Sequence, residues 1–506
     1  MSPLSRSLTP APIRSLAIVG GGTAGWMTAV KLACHLSRQP VEITLIESSD
    51  IGAVGVGEAT VPAIRTYFKE IGVSDHDVMR ASQGTVKLGI QFQGWLKPGA
   101  QFFHPFSLFG ARVRGVPFHH YWLKLCHLGA PTDLGAYSLS TVMAEQGRFR
   151  EPTQNPEGDL SVYDWAVHFD AGLYARYLRD YGLRLGVKRI DAKIVDIALR
   201  PSDGFIQSVQ LESGEHVAAD LFIDCSGFRA LLINALGVGF EDWTKYLPCD
   251  RAAAMPCERQ APLTPFTQSI AQKAGWRWRI PLQHRVGNGY VYCSNYISDD
   301  EAITTLIANL EGKTLGEPNL IRFTTGHRKK HWEKNCVAIG LAAGFMEPLE
   351  STSIVLVQSA IDQLIELFPD LSFNPALEDE FNRRSALEWE RIRDFLILHY
   401  WANQRPEEPF WRECRTIHLP ERLAHKIRMF KERGVIIRYE WETFLDPSWL
   451  AMFAGFDLLP RSYDPMADFF TPAQLSEALE RMRQTIASAA ATGEPHLDYI
   501  NRYCRA

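Results

Sequence analysis

A short apolar run, Ser15–Val19, breaks abruptly into Gly20-Gly21-Gly22-Thr23-Ala24-Gly25. An apolar-periodic stretch follows from about Ala24 to His35, and then a second apolar run, Val41–Ile46, that ends on Glu47. Strand, glycine turn, helix and strand in that order constrain the chain to a βαβ unit of a parallel sheet. In that setting Gly20 allows the tight turn, Gly22 lets the backbone approach a pyrophosphate, and Gly25 lets the helix pack closely on the strand. The helix start, Thr23 and Ala24, offers unpaired N–H groups to phosphate oxygens. Glu47 lies about 20 residues past the turn, where an acidic residue meets ribose hydroxyls. The turn does not separate FAD from NAD. No second fingerprint stands out, so one dinucleotide is expected.

The rest of the chain narrows the class. At 506 residues, with 46% hydrophobic and 22% charged, it can build a large globular core around a cofactor. A net charge of −5 without a basic stripe excludes a nucleic-acid binder. Nine cysteines without a Cys-x-x-Cys pair argue against a metal site or a disulfide framework, and point to a reducing, cytoplasmic setting. No apolar run reaches the length of a membrane span, and residues 1–14 lack a secretory apolar stretch. Those residues are expected as a flexible tail.

The pattern then departs from simple βα repeats. Residues 51–63 read as a glycine-rich loop without regular structure, and 170–183 as a helix. Lys193–Leu199, Phe205–Leu211 and His216–Ile223 read as strands. A strand at Cys336–Gly340 and a helix from Thr352 to Leu367 follow, and the C-terminal third is mostly helix-like. The expected fold class is α/β. A GxGxxG-type dinucleotide-binding domain is expected over 15–375 with inserted substrate-facing segments, and a largely helical portion over 376–506.

Five motifs occur in order: Gly20-x-Gly22-x-x-Gly25; Gly55-Val56-Gly57-Glu58-Ala59-Thr60-Val61-Pro62; Gly84-Thr85-Val86-Lys87-Leu88-Gly89; Trp276-Arg277-Trp278-Arg279-Ile280-Pro281; and Pro348-Leu349-Glu350-Ser351-Thr352. Together they resemble the flavin-dependent halogenases of the tryptophan/indole type, over nearly the whole chain. The resemblance implies the monooxygenase-type FAD fold. It also implies a reaction in which reduced FAD, O2 and a halide ion (bromide or chloride) yield hypohalous acid, which reaches a lysine through an internal tunnel. It assigns Ala53, Val54, Gly55, Ile190 and Leu341 to the surroundings of the FAD. A missing nicotinamide signature implies a separate flavin reductase as the source of FADH2.

On this resemblance Lys87 captures hypohalous acid, as a haloamine or through a hydrogen bond. A lone lysine is most often a solvated surface residue. Here Val86, Leu88 and Ile90 flank it, and burial would favour its neutral amine. Glu350 is the carboxylate that stabilises the charged ring and removes its proton. Glu347 is its neighbour, and the motif match selects Glu350. Ser351, Thr352 and Ser353 stand at a helix start suited to a halide. Family members commonly have Gly where this chain has Ser353, which opens the bromide-versus-chloride preference. Trp276, Trp278 and Pro281 are the barrier between substrate and flavin.

His104 and Phe106 are expected to flank the substrate ring by stacking, with Trp449 at its border. Around Trp449 the chain is apolar, which favours indole or another small aromatic substrate without an α-amino acid head. A single-component FAD hydroxylase and a flavin-binding protein without turnover remain as alternatives. The assembly is left open, a homodimer among the options.

Overall fold

The computed structural model describes residues 11–51, 57–153, 156 and 158–506. Ser15–Val19 is the central strand of a six-stranded sheet, in parallel register with Glu42–Glu47 on one side and Leu221–Asp224 on the other. Lys188–Asp191 extends the sheet beyond Glu42–Glu47, and Cys336–Ala338 with the hairpin strand Trp332–Glu333 closes the opposite edge. A strand flanked on both sides and packed on both faces must be apolar throughout, and Leu16 to Val19 are all buried. The chain leaves this sheet after residue 47 and returns to it at 188–191, 221–224 and 336–338. The strands therefore gather their C-terminal ends around one crevice, where open α/β sheets bind ligands.

A second, seven-stranded sheet runs in the order Asn319–Arg322, Arg251–Cys257, Val286–Tyr292, Gly275–Pro281, Thr267–Gln272, Gly89–Gln93 and Gln101–Pro105. The Trp276–Pro281 motif lies on its fully buried middle strand. A small sheet orders Gly57–Ala59, Ala166–Asp170 and Thr85–Lys87. Helix Pro375–Trp401 starts with a proline in its first turn and an Asn374 side chain that accepts from the Ala376 N–H. From Arg391 to Tyr400 every residue is buried, so this end of the helix runs through the interior. Helices Glu421–Arg433, Asp446–Gly455 and Pro472–Ala491 complete the C-terminal portion.

Several expectations are corrected. His216–Ile223 is two strands: His216–Ala218 pairs in a three-stranded antiparallel sheet, whereas Leu221–Asp224 joins the parallel sheet. Between them Asp220 accepts from the Arg14 and Ser15 N–H groups, which pins the crossing point. Of the expected flexible tail, residues 1–10 lie outside the described residues, and residues 11–14 are held in place: the Leu371 N–H donates to the Ala11 carbonyl, and Pro12 bridges Asp370. The 51–63 segment contains strand Gly57–Ala59. Strand Cys336–Ala338 ends early because Gly340, at φ 71°, turns the chain, and a Cβ there would lie 2.8 Å from that of Ala24. All nine cysteines are unpaired. Among the described residues no helix is long and apolar enough to cross a membrane, and no cluster of residues could hold a metal.

Candidate active site

The glycine turn is built by contact. Gly20 has φ +112°, and a Cβ on it would meet the Cys225 carbonyl oxygen at 2.1 Å. A Cβ on Gly25 would meet the Gly20 carbonyl oxygen at 1.8 Å. At Gly22 a Cβ would meet nothing within 4 Å, so this position faces open space. Helix Thr23–His35 begins immediately, without a side-chain cap on its first N–H groups. Glu47 accepts from Arg189 Nε at 2.5 Å and lies over Gly21, where a Cβ would collide with its carboxylate.

From this turn a cavity of about 980 Å³ runs inward. Gly20, Gly22, Thr23, Ala24, Glu47, Arg189 and Leu341 line its outer part. Trp276, Trp278 and Ile280 line its wall, and Glu350, Ser351, Thr352 and Ser353 also border it. The volume is at the upper end of the roughly 300–1,000 Å³ common for ligand sites. Ile190 does not line it, because side chains alternate along a strand and Arg189 takes the inward position. Ala53, Val54 and Gly55 lie outside the described residues.

Lys87 ends strand Thr85–Lys87 and is fully buried. Its Nζ donates to the Thr60 carbonyl at 2.8 Å and to Ser351 Oγ at 2.9 Å, and lies 5.1 Å from the Phe106 ring centre. Burial pushes its pKa down to about 7, with the nearby charge of Glu350 opposing. Lys87 is not itself a lining residue of the cavity; Ser351, its hydrogen-bond partner, is. Ser351 Oγ accepts from Lys87 and so keeps its own O–H as a donor.

Glu350 and Ser351 both have left-handed backbones, φ 66° and 61°. Two consecutive non-glycine residues in that region are strained, and strain of this kind collects at functional sites. The turn aims the Glu350 carboxylate inward, where Oε2 accepts from His104 Nδ1 at 2.7 Å and Oε1 meets His399 Nε2 at 2.9 Å. Burial alone would raise this carboxyl, but the two imidazoles bring its pKa down to about 2. Thr352 Oγ1 is buried with no hydrogen-bond partner among the described residues, next to the start of helix Ser353–Glu366. A hydroxyl and helix N–H groups at one spot suit a halide.

His104, expected to stack on a substrate ring, is committed to Glu350 through Nδ1. Phe106 lies 6.3 Å from it, edge-on. Trp449 is buried, donates to the Phe444 carbonyl at 3.1 Å and meets Phe395 edge-on. Lys426 Nζ lies 4.0 Å from its ring centre and donates to Glu442 at 2.6 Å. Phe395 and Phe444 stack at 3.9 Å, and both face His104.

Sequence reasoning missed His399, Phe395 and Phe444. A histidine inside Phe395-Leu396-Ile397-Leu398-His399-Tyr400 was the available signal. Glu347 points elsewhere: Oε1 accepts from Trp276 Nε1 at 2.9 Å and from the Tyr400 hydroxyl at 2.6 Å. Burial raises its pKa to about 7 despite both bonds. Pro281 does not line the cavity; its carbonyl accepts from Thr85 Oγ1 at 2.6 Å, tying the tryptophan strand to that of Lys87.

Comparison with known proteins accords with this geometry. The tryptophan halogenase family model matches residues 15–472. The chain is 38% identical to tryptophan 6-halogenase SttH of Streptomyces toxytricini over 82% of its own length and 83% of that protein's. Among solved structures it is similar to BrvH, a flavin-dependent halogenase from Brevundimonas sp. BAL3 (TM-score 0.94, 49% identity, 97% of this chain and 99% of that one). It is similar also to Xcc4156, a flavin-dependent halogenase from Xanthomonas campestris (TM-score 0.94, 42% identity, 98% and 99%). The chain is a member of the tryptophan halogenase family: a flavin-dependent halogenase, and so an oxidoreductase.

Proposed function

We propose that this enzyme halogenates indole, or an indole derivative without an α-amino acid head, and that Lys87 delivers the halogen. The observation that carries this is the Lys87–Ser351 contact at the inner border of the cavity. As in its family, reduced FAD comes from a separate reductase, and an aromatic substrate, O2 and a halide complete the reaction. When bound, reduced FAD with O2 supplies the oxidant that converts halide to hypohalous acid. The open space at Gly22 and the uncapped helix start at Thr23 and Ala24 fit its pyrophosphate, and Glu47 its ribose.

Thr352 Oγ1 and the helix start at Ser353 hold the halide. Trp276 and Trp278 keep the substrate from the flavin, and the Glu347 bond fixes the Trp276 ring. The neutral Lys87 amine captures hypohalous acid, as a haloamine with release of water or through a hydrogen bond. The arene attacks the halogen as its bond to nitrogen or oxygen breaks, the leaving atom keeping the electron pair and taking up a proton. As the ring rearomatises, its C–H pair returns to the ring and the proton passes to the Glu350 carboxylate. Phe106, with Phe395 and Phe444, offers aromatic faces to the substrate. Lys426, whose ammonium lies over the Trp449 ring, is bonded to Glu442, which supports a substrate without a zwitterionic head.

Ser353 in place of the common glycine supports a site adapted to bromide. The unpaired cysteines support a reducing, cytoplasmic setting. Mass spectrometry of indoles, tryptophan and phenols incubated with a flavin reductase, O2 and equimolar bromide and chloride tests the proposal. Brominated indole should dominate. Mostly chlorinated product, or a preference for tryptophan, would overturn the corresponding part.

A further inference from the structure

His399 lies fully buried on helix Pro375–Trp401, enclosed by the rings of Phe92, Trp95, Phe395 and Phe456. Its Nδ1 is 2.8 Å from the Phe395 carbonyl oxygen, one helical turn back. Its Nε2 is 2.9 Å from Glu350 Oε1. A carbonyl oxygen has no proton to give, so the Nδ1 contact fixes a proton on Nδ1. The Nε2–Oε1 contact then holds one more proton, on nitrogen as an imidazolium facing a carboxylate, or on oxygen as a neutral pair. Both ring nitrogens are used, so the ring is committed to the Phe395 carbonyl and to Glu350.

We propose that His399 is the positioning residue for Glu350: it keeps the carboxylate ionised and aimed by donating from Nε2, while the Phe395 carbonyl locks its Nδ1–H. This rests on the proposed role of Glu350 as the group that takes the arene's proton. The titratable groups facing Glu350 are His104 from strand Gln101–Pro105, His399 from the long helix and Lys87 from strand Thr85–Lys87. His104 donates to the other oxygen, so loss of His399 leaves one donor opposing a fully buried site. The sign follows. Without His399 the desolvation of Glu350 is less opposed, its pKa rises, and it becomes protonated at a pH where the intact site is ionised.

The test uses full-length His399→Phe and His399→Gln, the latter keeping an N–H donor without a titrating ring. The first readout is infrared difference spectroscopy against Glu350→Gln, which needs no turnover. In His399→Phe a Glu350 carboxylic-acid band should titrate between about pH 5 and 8. It should be absent from the unsubstituted protein and from His399→Gln. The second readout is kcat against pH with saturating indole, bromide and reduced FAD. The acid limb should steepen from one proton toward two in His399→Phe, with kcat near pH 6 lower on the order of 10-fold and KM for indole little changed.

A Glu350 that stays ionised throughout in His399→Phe would overturn the proposal, as would a uniform loss of kcat at every pH. If the unsubstituted protein makes no haloindole, the proposed function fails, and the infrared titration still decides the role of His399.

Discussion

Lys87 Nζ donates a 2.9 Å hydrogen bond to Ser351 Oγ, across 264 residues of sequence. The bond joins a fully buried amine to the border of the cavity that begins at the glycine turn. Ser351→Ala should leave the amine in place through the Thr60 carbonyl but remove its link to that border. A lost hydrogen bond of this kind is worth about 1 kcal/mol, so haloindole formation should fall about 5-fold. Flavin oxidation, followed by absorbance, should be unchanged.

The depressed pKa of Lys87 has a stability consequence. Its folded-state pKa is about 7. The unfolded chain holds the proton up to about 10.4, so between these values the unfolded state binds more protons and stability rises with pH. Lys87→Met removes this dependence. Its stability relative to the unsubstituted protein, from urea unfolding, should therefore be greatest near pH 7 and decline by at least about 1 kcal/mol as pH approaches 10.

The glycines of the turn should separate fold from ligand. Gly22→Ala puts a methyl into open space and should change Tm by no more than about 1–2 °C. It should weaken FAD binding on the order of 10-fold, measured by flavin fluorescence quenching. Gly25→Ala drives a Cβ into the Gly20 carbonyl and should destabilise the protein by about 2 kcal/mol or more.

Much of the parallel sheet was legible in the sequence because its signals are local. The turn needs glycine for φ at residue 20 and for close packing at residue 25, and both demands are satisfied within a few residues. The split of 216–223 was not legible, since the two halves differ only in which distant strand they join. Ile190 is absent from the cavity wall for a related reason: which face of an edge strand turns inward depends on register, not composition.

The chemistry was legible only through the motifs. Nothing in the composition around Lys87 says that Ser351 will meet it. His104 was read as a stacking ring, and its hydrogen bond to Glu350, 246 residues away, was not legible. His399 sits 49 residues from Glu350 and carries no motif, so only the helix that buries it reveals its role.

Glu350→Gln keeps the size of the side chain but cannot take a proton. It should lower kcat about 100-fold or more with little change in KM for indole, because the lost interaction is made only as the ring sheds its proton. Steady-state kinetics with bromide checks this. Equal losses in kcat and in affinity for the arene would instead mark a role in substrate binding.

The most direct test is Lys87→Ala, assayed for regiospecific bromination of indole while hypohalous acid released to solution is trapped with a separate scavenger. The expected result is loss of regiospecific haloindole by about 100-fold or more, with flavin oxidation intact and the oxidant appearing in the trap. Regiospecific bromination that persists in this variant would contradict delivery of the halogen by Lys87.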